Sequence, residues 1–152
     1  PADTDLPGFP LFALFTLAMG MTSVIPDMDP TKPAQCDPAK IVRNIIQHQI
    51  TFCAGSPAIW ERVGRYCVAN KIQLGSLKHV VMFGAPVRAE IHALFQKVLT
   101  KGDTYTPYGA TECLPVSLMR GSDVLKETAA LTREGKGVCI GHAVPGAEIK
   151  IL

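Results

Sequence analysis

Apolar positions along this chain change their period from segment to segment, and those changes mark out elements. Ile41, Val42, Ile45 and Ile46 recur at helical spacing. They follow Asp37-Pro38, which suits an N-cap and a first helical position, so a helix is predicted to run to about His48. The spacing repeats over 57–69, with Ile59, Val63, Tyr66 and Cys67 inward, Ser56 as N-cap and Asn70 at a left-handed end. It repeats again over 87–99, with Ile91, Leu94, Phe95 and Val98 inward. Residues 12–19 are apolar on nearly all sides, which predicts a buried helix closed by Gly20. Short runs rich in β-formers fall between, at 22–25, 50–54, 77–83 and 104–106. Val80-Val81-Met82-Phe83 is apolar throughout, as in a strand covered on both faces. Strand and helix alternating in this way predict an α/β fold, a mainly parallel sheet flanked by helices.

After Glu112 the rhythm changes. Residues 116–119 suit one more strand. Residues 121–137, with Lys126, Glu127, Arg133, Glu134 and Lys136, suit an exposed loop with room for a helical turn. Residues 138–140 and 147–151 suit two strands of a small antiparallel β element at the C-terminal end, separated by Gly141 and Pro145-Gly146. The expected division is an α/β subdomain over 1–120, then a loop and the start of a small β subdomain over 121–152. The proline- and aspartate-rich stretch 26–38 is a connection inside the first part.

Composition narrows the classes. At 152 residues, 47% hydrophobic and 18% charged, the chain holds enough apolar side chains for a packed core and too many for disorder. A net charge of +2 gives no basic field of the kind nucleic-acid binders show. The 5 cysteines include no Cys-x-x-Cys pair, which points to buried thiols in a reducing, cytoplasmic setting rather than a disulfide framework or a zinc site. His48, His79, His92 and His142 are scattered, without helix-face metal spacing. The apolar run 11–21 is too short for a transmembrane segment and lacks signal-peptide flanks. The chain opens on Pro1 and closes on a strand-like run, so it is expected to be a fragment of a larger enzyme.

The densest chemistry lies in Tyr105-Thr106-Pro107-Tyr108-Gly109-Ala110-Thr111-Glu112. Proline has no N–H to donate, so Pro107 is expected to stop the strand and release the following groups at its carboxyl end. Open α/β sheets bind ligands there. Tyr108 offers a flat face to a nucleobase, Gly109 lets backbone approach closely, Thr111 can donate to a phosphate oxygen, and Glu112 can help hold Mg2+. The same residue types also make ordinary turns. Two other predicted strands end in glycine-containing breaks, Gly55-Ser56-Pro57 and Gly84-Ala85-Pro86. In a parallel sheet all three ends share one edge.

Tyr108-Gly109-Ala110-Thr111-Glu112 resembles the signature of the adenylate-forming superfamily: acyl-CoA synthetases, luciferases and peptide-synthetase adenylation domains. Phe83-Gly84-Ala85-Pro86 is similar to its Gly-Gly-Ala-Pro segment, with Phe83 in place of the first glycine. The run from Gly137 to Gly146 resembles its Gly-x-x-Gly-x-x-x-Pro-Gly segment, in the same order and at similar spacing. Phe9-Pro10-Leu11-Phe12-Ala13-Leu14-Phe15 lacks the histidine that ordinary acyl-CoA synthetases carry nearby. With Ser23-Val24-Ile25-Pro26-Asp27-Met28-Asp29-Pro30 it looks like the bacterial olefin-biosynthesis branch, whose members make β-lactones. The resemblance implies part of a large N-terminal domain, with ATP, AMP and Mg2+ as ligands. It implies activation of a fatty, β-hydroxy acid as an acyl-adenylate that closes to a β-lactone, releasing AMP and pyrophosphate. Coenzyme A enters only in the alternative of an acyl-CoA ligase, and a third reading is a non-catalytic nucleotide-binding module. In this scheme Gly84, Ala85, Pro86, Tyr108 and Gly109 seat adenosine, Thr111 binds phosphate, and Glu112 holds magnesium. Phe9, Phe12, Phe15 and Trp60 are candidates for an alkyl pocket, with plain core packing as the alternative. Association with other olefin-biosynthesis enzymes goes with the scheme. The phosphate loop, the ribose-binding aspartate and a mobile domain with a catalytic lysine are expected outside 1–152.

Overall fold

In a computed structural model of the chain, the structure describes residues 3–150. The strands are β1 (Thr4–Pro7), β2 (Thr22–Ser23), β3 (Phe52–Gly55), β4 (His79–Met82), β5 (Asp103–Ala110), β6 (Cys113–Arg120) and β7 (His142–Ala143). They form one 7-stranded sheet in the order β2-β1-β3-β4-β5-β6-β7. From β2 to β5 every pairing is parallel, while β5-β6 and β6-β7 are antiparallel. The helices are α1 (Phe12–Ala18), α2 (Pro38–Gln47), α3 (Pro57–Ala69), α4 (Ala89–Gln96), α5 (Gly121–Asp123) and α6 (Ala129–Arg133), with a π-helical stretch Val124–Thr128 joining the last two. The mainly parallel α/β sheet is as expected. The antiparallel part at the C-terminal end is also there, but it continues the same sheet through β5, β6 and β7.

Local chemistry explains the helix starts. Asp37 caps α2, its Oδ1 accepting from the Ala39 N–H at 2.9 Å, with Pro38 next. At α3, Ser56 holds the N-cap position but its hydroxyl makes no cap bond and lies buried without a partner. The left-handed residue after α3 is Lys71 (φ 55°), not Asn70, whose amide donates to the Tyr66 carbonyl at 2.8 Å instead.

The register sorts side chains by period two. Leu6, Cys53 and Val80 pair across β1, β3 and β4 and are all buried, at 1%, 0% and 0% exposure. With Met82 they meet Ile41, Ile45, Ile59, Trp60, Val63, Ile91 and Phe95 from α2, α3 and α4 in one core cluster. The opposite face carries Asp5, Phe52 and His79 in one row and Pro7, Ala54, Val81 and Tyr105 in the next. Among the described residues only α1 lies over that face. Val81 and Phe83 are therefore half-buried, and the β4 run is sealed on one side only.

Two expectations about helices are corrected. Residues 12–19 do form a helix, but not a buried one: Leu14, Phe15, Leu17 and Met19 are 64%, 55%, 54% and 63% exposed, and only Ala13 and Thr16 are buried. An all-round apolar pattern states a preference for cover, and no described element provides it. Residues 121–133 are helical rather than a loop. Buried Gly121 allows this, because an added Cβ would collide with Thr104 Oγ1 and lie 2.6 Å from His92 Nδ1. The strands expected at 138–140 and 147–151 are absent from the described residues there. His142–Ala143 pairs with β6 instead.

Trp60 is 1% exposed and packs edge-on against Phe95. Trp60→Ala should lower stability by about 3–5 kcal/mol through lost burial and the cavity left behind. Thermal unfolding of the variant against the parent checks this, and a shift of under about 1 kcal/mol would contradict the packing.

Candidate active site

Because β3, β4 and β5 are parallel, their carboxyl ends open on one edge of the sheet. β4 delivers Phe83-Gly84-Ala85-Pro86 there. Gly84 has φ 87°, and a Cβ on it would meet only Phe9 Cζ at 3.5 Å, so this bend is open to its surroundings. Ala85 and Pro86 are exposed beside it.

β5 behaves differently from expectation. Pro107 does not end the strand; it sits inside β5, opposite Leu118 of β6. The ladder to β4 has already run out at Tyr105, so on that side the missing N–H of Pro107 costs no bond. Thr111 and Glu112 then form the turn of the β5-β6 hairpin. Both are exposed, and among the described residues neither side chain is engaged in a hydrogen bond or ion pair. Tyr108 is 51% exposed. The register slips between Tyr108 and Ala110. At Gly109 an added Cβ would lie 2.6 Å from the Cys113 carbonyl and 2.9 Å from Leu114 Cδ1. The close backbone approach that glycine permits here is to the hairpin's own return strand.

Beside this edge, on the face that α1 partly covers, lies an apolar groove of about 290 Å³. Phe12 and Phe15 of α1, with Met19 at its C-cap, form one wall, Val81 and Phe83 the floor, and Leu114, Pro115 and Leu118 of the hairpin the other wall. Phe83 sits 5.1 Å from Phe9 and 4.9 Å from Phe12 between ring centroids. The structure thus brings Phe12 and Phe15 to the groove, while Phe9 packs against Phe12 and Phe83 without lining it. Trp60 is elsewhere, in the core on the opposite face, because α3 packs there. Sequence reasoning missed Phe83, Met19, Leu114 and Leu118 as lining residues. The signal was the alternation along β4 and β6, which places Val81 with Phe83 and Leu114 with Leu118 on one side.

Two buried polar clusters flank these features. His92 Nδ1 is 2.7 Å from Thr104 Oγ1, and Nε2 is 3.4 Å from Thr106 Oγ1. Burial pulls the His92 pKa down to about 4, against the opposing charge of Asp103. That carboxylate receives Arg120 Nε at 2.7 Å, which in turn raises the Arg120 guanidinium. His92 also borders a smaller cavity of about 110 Å³ with Thr106, Thr128 and Cys139. On the other face Asp5 is fully buried, and burial pushes its carboxyl up to about 6 despite a hydrogen bond from Thr16. Cys36, Cys53 and Cys67 are buried free thiols, as expected of this composition.

A family model described as AMP-binding enzyme matches residues 8–152. The chain belongs to the AMP-binding enzyme family. It is 43% identical over 149 residues to an olefin beta-lactone synthetase of Stenotrophomonas maltophilia, covering 97% of this chain and 26% of the relative. It is 40% identical to an olefin beta-lactone synthetase of Xanthomonas campestris, over 100% of this chain and 27% of the relative. The chain therefore spans about a quarter of the length of these curated relatives. Among solved structures, the amide bond synthetase McbA from Marinactinospora thermotolerans matches with a TM-score of 0.68 at 21% identity, over 95% of this chain and 28% of that one. An O-succinylbenzoate coenzyme A synthetase from Bacillus subtilis, in complex with ATP and magnesium, matches with a TM-score of 0.62 at 17% identity, over 82% and 26%. These structural likenesses establish the shared fold of the large domain. No helix among the described residues is long and apolar enough to cross a membrane.

The two shifted groups pull stability in opposite directions. His92 takes up a proton at its ordinary 6.5 in the unfolded chain but only at about 4 in the folded one, so its contribution is complete above 6.5 and is lost as pH falls towards 4. Asp5 contributes fully below its ordinary 3.8, and that contribution is lost as pH rises through about 6. The two offset each other between these limits. Asp5→Asn should therefore steepen the fall in unfolding temperature as pH drops from 6.5 to about 4. Parallel profiles for parent and variant would contradict the assignment.

Proposed function

We propose that the full-length protein is an ATP-dependent carboxylate-activating enzyme. It converts a β-hydroxy fatty acid to an acyl-adenylate and closes this to a β-lactone. One observation carries the reading: a single hairpin joins the two halves of the chemistry. Its tip presents the unengaged Thr111 and Glu112, and its β6 side supplies Leu114, Pro115 and Leu118 to the apolar groove. β4 does likewise, with Phe83 in the groove and Gly84-Ala85-Pro86 next to it. An alkyl chain lying in the groove would hold its carboxylate near the edge where a nucleotide would sit. Resemblance to the lactone synthetases at 43% and 40% identity exceeds the 28% to an indenylpropanoyl:CoA ligase of Rhodococcus jostii, which favours the lactone over the thioester.

The residues present fit ATP and magnesium. Gly84 is open to its surroundings and the Tyr108 ring is half-exposed, so each offers an adenine a free surface, backbone in one case and aromatic face in the other. Glu112 is an exposed hard-oxygen donor, and the described residues hold no cluster of three metal-ligating side chains. One carboxylate beside nucleotide phosphates is the donor set magnesium takes, whereas zinc would need a cage of nitrogen and sulfur ligands. The cation, when bound, neutralises charge on the phosphates. Thr111 donates to a phosphate oxygen. The substrate carboxylate oxygen attacks the α-phosphorus, and pyrophosphate leaves. The β-hydroxyl oxygen then bonds to the acyl carbon, its proton passes to solvent, and the acyl–phosphate bond breaks to release AMP. A cytoplasmic location, association with other enzymes of olefin biosynthesis and the start of a small β subdomain within 121–152 belong to the same reading.

Full-length protein given ATP, magnesium and a β-hydroxy fatty acid should yield a β-lactone with no coenzyme A present. A thioester formed only when coenzyme A is added would mark an acyl-CoA ligase, and no acid-dependent pyrophosphate exchange would mark a non-catalytic module. Glu112→Ala should lower that exchange by roughly 100-fold, the scale of losing one preorganised charge-stabilising group. Unchanged exchange would remove Glu112 from the role.

A further inference from the structure

We infer that the Asp5–Thr16 hydrogen bond is the contact that seats α1 on the sheet, and that it sets how well the groove discriminates between acyl chains. The inference rests on the reading of the groove as the acyl site.

Among the described residues, α1 meets the sheet through few side chains: Ala13, Thr16 and the half-buried Phe12 ring, 4.9 Å from Phe83. Its apolar side chains Leu14, Phe15 and Leu17 are more than half exposed, and only Ala13 and Thr16 are buried. Burial of apolar surface, the usual anchor of a helix, is therefore weak here. Thr16 is the one polar residue of the helix, 4% exposed, and its hydroxyl lies 2.9 Å from Asp5 Oδ2 on β1. Asp5 is 0% exposed, and its other oxygen, Oδ1, is buried with no partner.

The Thr16 hydroxyl has a single proton and three acceptors within reach: Asp5 Oδ2, the Phe12 carbonyl at 3.3 Å and the Ala13 carbonyl at 3.2 Å. A neutral Asp5 relieves this competition for one proton. Its O–H donates to Thr16 Oγ1, which is then free to donate back into the helix. An ionised Asp5 would leave a buried charge with one oxygen unpartnered. The upward shift of the carboxyl by burial agrees with the neutral arrangement.

The consequence reaches the groove because α1 moves as one body. Thr16 itself lines the groove, Phe12 and Phe15 are on the same helix, and Met19 is its C-cap. Releasing the tether would let this wall shift and loosen its fit to an extended chain. Thr16 and Asp5 touch no reacting atom; they are positioning residues.

The test uses the full-length enzyme and compares kcat/KM for a long-chain and a short-chain β-hydroxy fatty acid, followed by pyrophosphate release. Thr16→Val, which keeps shape but loses the hydroxyl, should lower the long-to-short ratio roughly tenfold, the scale of a lost fit in an apolar pocket. Thr16→Ser should restore the ratio. Asp5→Asn, neutral and still able to donate to Thr16, should keep it, and Asp5→Ala should lose it. This second pair decides the matter if Thr16→Val does not fold. A ratio that stays at the parent value in Thr16→Val and Asp5→Ala, or activity that falls equally for both acids, overturns the inference while leaving the proposed activity standing. A parent enzyme that activates neither acid overturns the activity, and this inference with it.

Discussion

The row of Leu6, Cys53 and Val80, buried at 1%, 0% and 0%, is the constraint on which the rest depends. It can face α2, α3 and α4 only in one register. A slip of one residue along any of β1, β3 or β4 would turn its apolar set to the other side and bring the Asp5, Phe52 and His79 row into the core. With that register fixed, Val81 and Phe83 must point to the open face, and Gly84 must lie just past the edge. The groove is therefore a consequence of how the core is packed. Its floor is the reverse side of the same strands.

Polar contacts lock the antiparallel end to this frame. His92 from α4 reaches Thr104 on β5, and Arg120, the last residue of β6, binds Asp103 on β5 at 2.7 Å. Gly121 then starts the helical segment in the space its missing side chain leaves beside Thr104 and His92. This cluster does structural work. It pins β5 at its base, so the hairpin that extends beyond it, Tyr108 to Cys113, starts from a fixed direction. The exposed tip needs no packing of its own to be well aimed.

Much of the frame was legible in the sequence, because the signals there were local. α3 follows the pattern of Ile59, Val63 and Cys67, and its span is the one the pattern predicts. α2 follows from Asp37-Pro38 and its isoleucines. The order of the sequence motifs pointed to the right family across the chain. What failed depended on neighbours. Pro107 reads as a breaker only if both flanks of its strand are paired, and the extent of β4 decides that. Phe12 to Met19 reads as buried from composition, but burial is a property of what lies opposite. Trp60 and Phe15 are both large aromatics, yet one faces the core at 1% exposure and the other the groove at 55%. Only the side of the sheet on which each helix packs separates them. The helix after Gly121 was hidden because a glycine followed by charged residues looks like a loop, and the collision that requires glycine involves residues 17 and 29 positions earlier, Thr104 and His92.

Gly109 shows why the hairpin can serve both the edge and the groove. With no Cβ, the strands close to within contact of the Cys113 carbonyl, and the register slips between Tyr108 and Ala110. A bulge at that point turns the strand and re-aims the residues beyond it. The side chains before the slip keep the alternation set by the core, which sends Pro107 to the groove. Those after it are freed from that alternation, and Thr111 and Glu112 stand clear of the apolar wall. Without the bulge, the strict period of two would continue to the tip, and one of these two adjacent residues would be directed to the greasy side. A single glycine thus separates the segment that contacts hydrocarbon from the segment that carries charge, within one continuous strand pair.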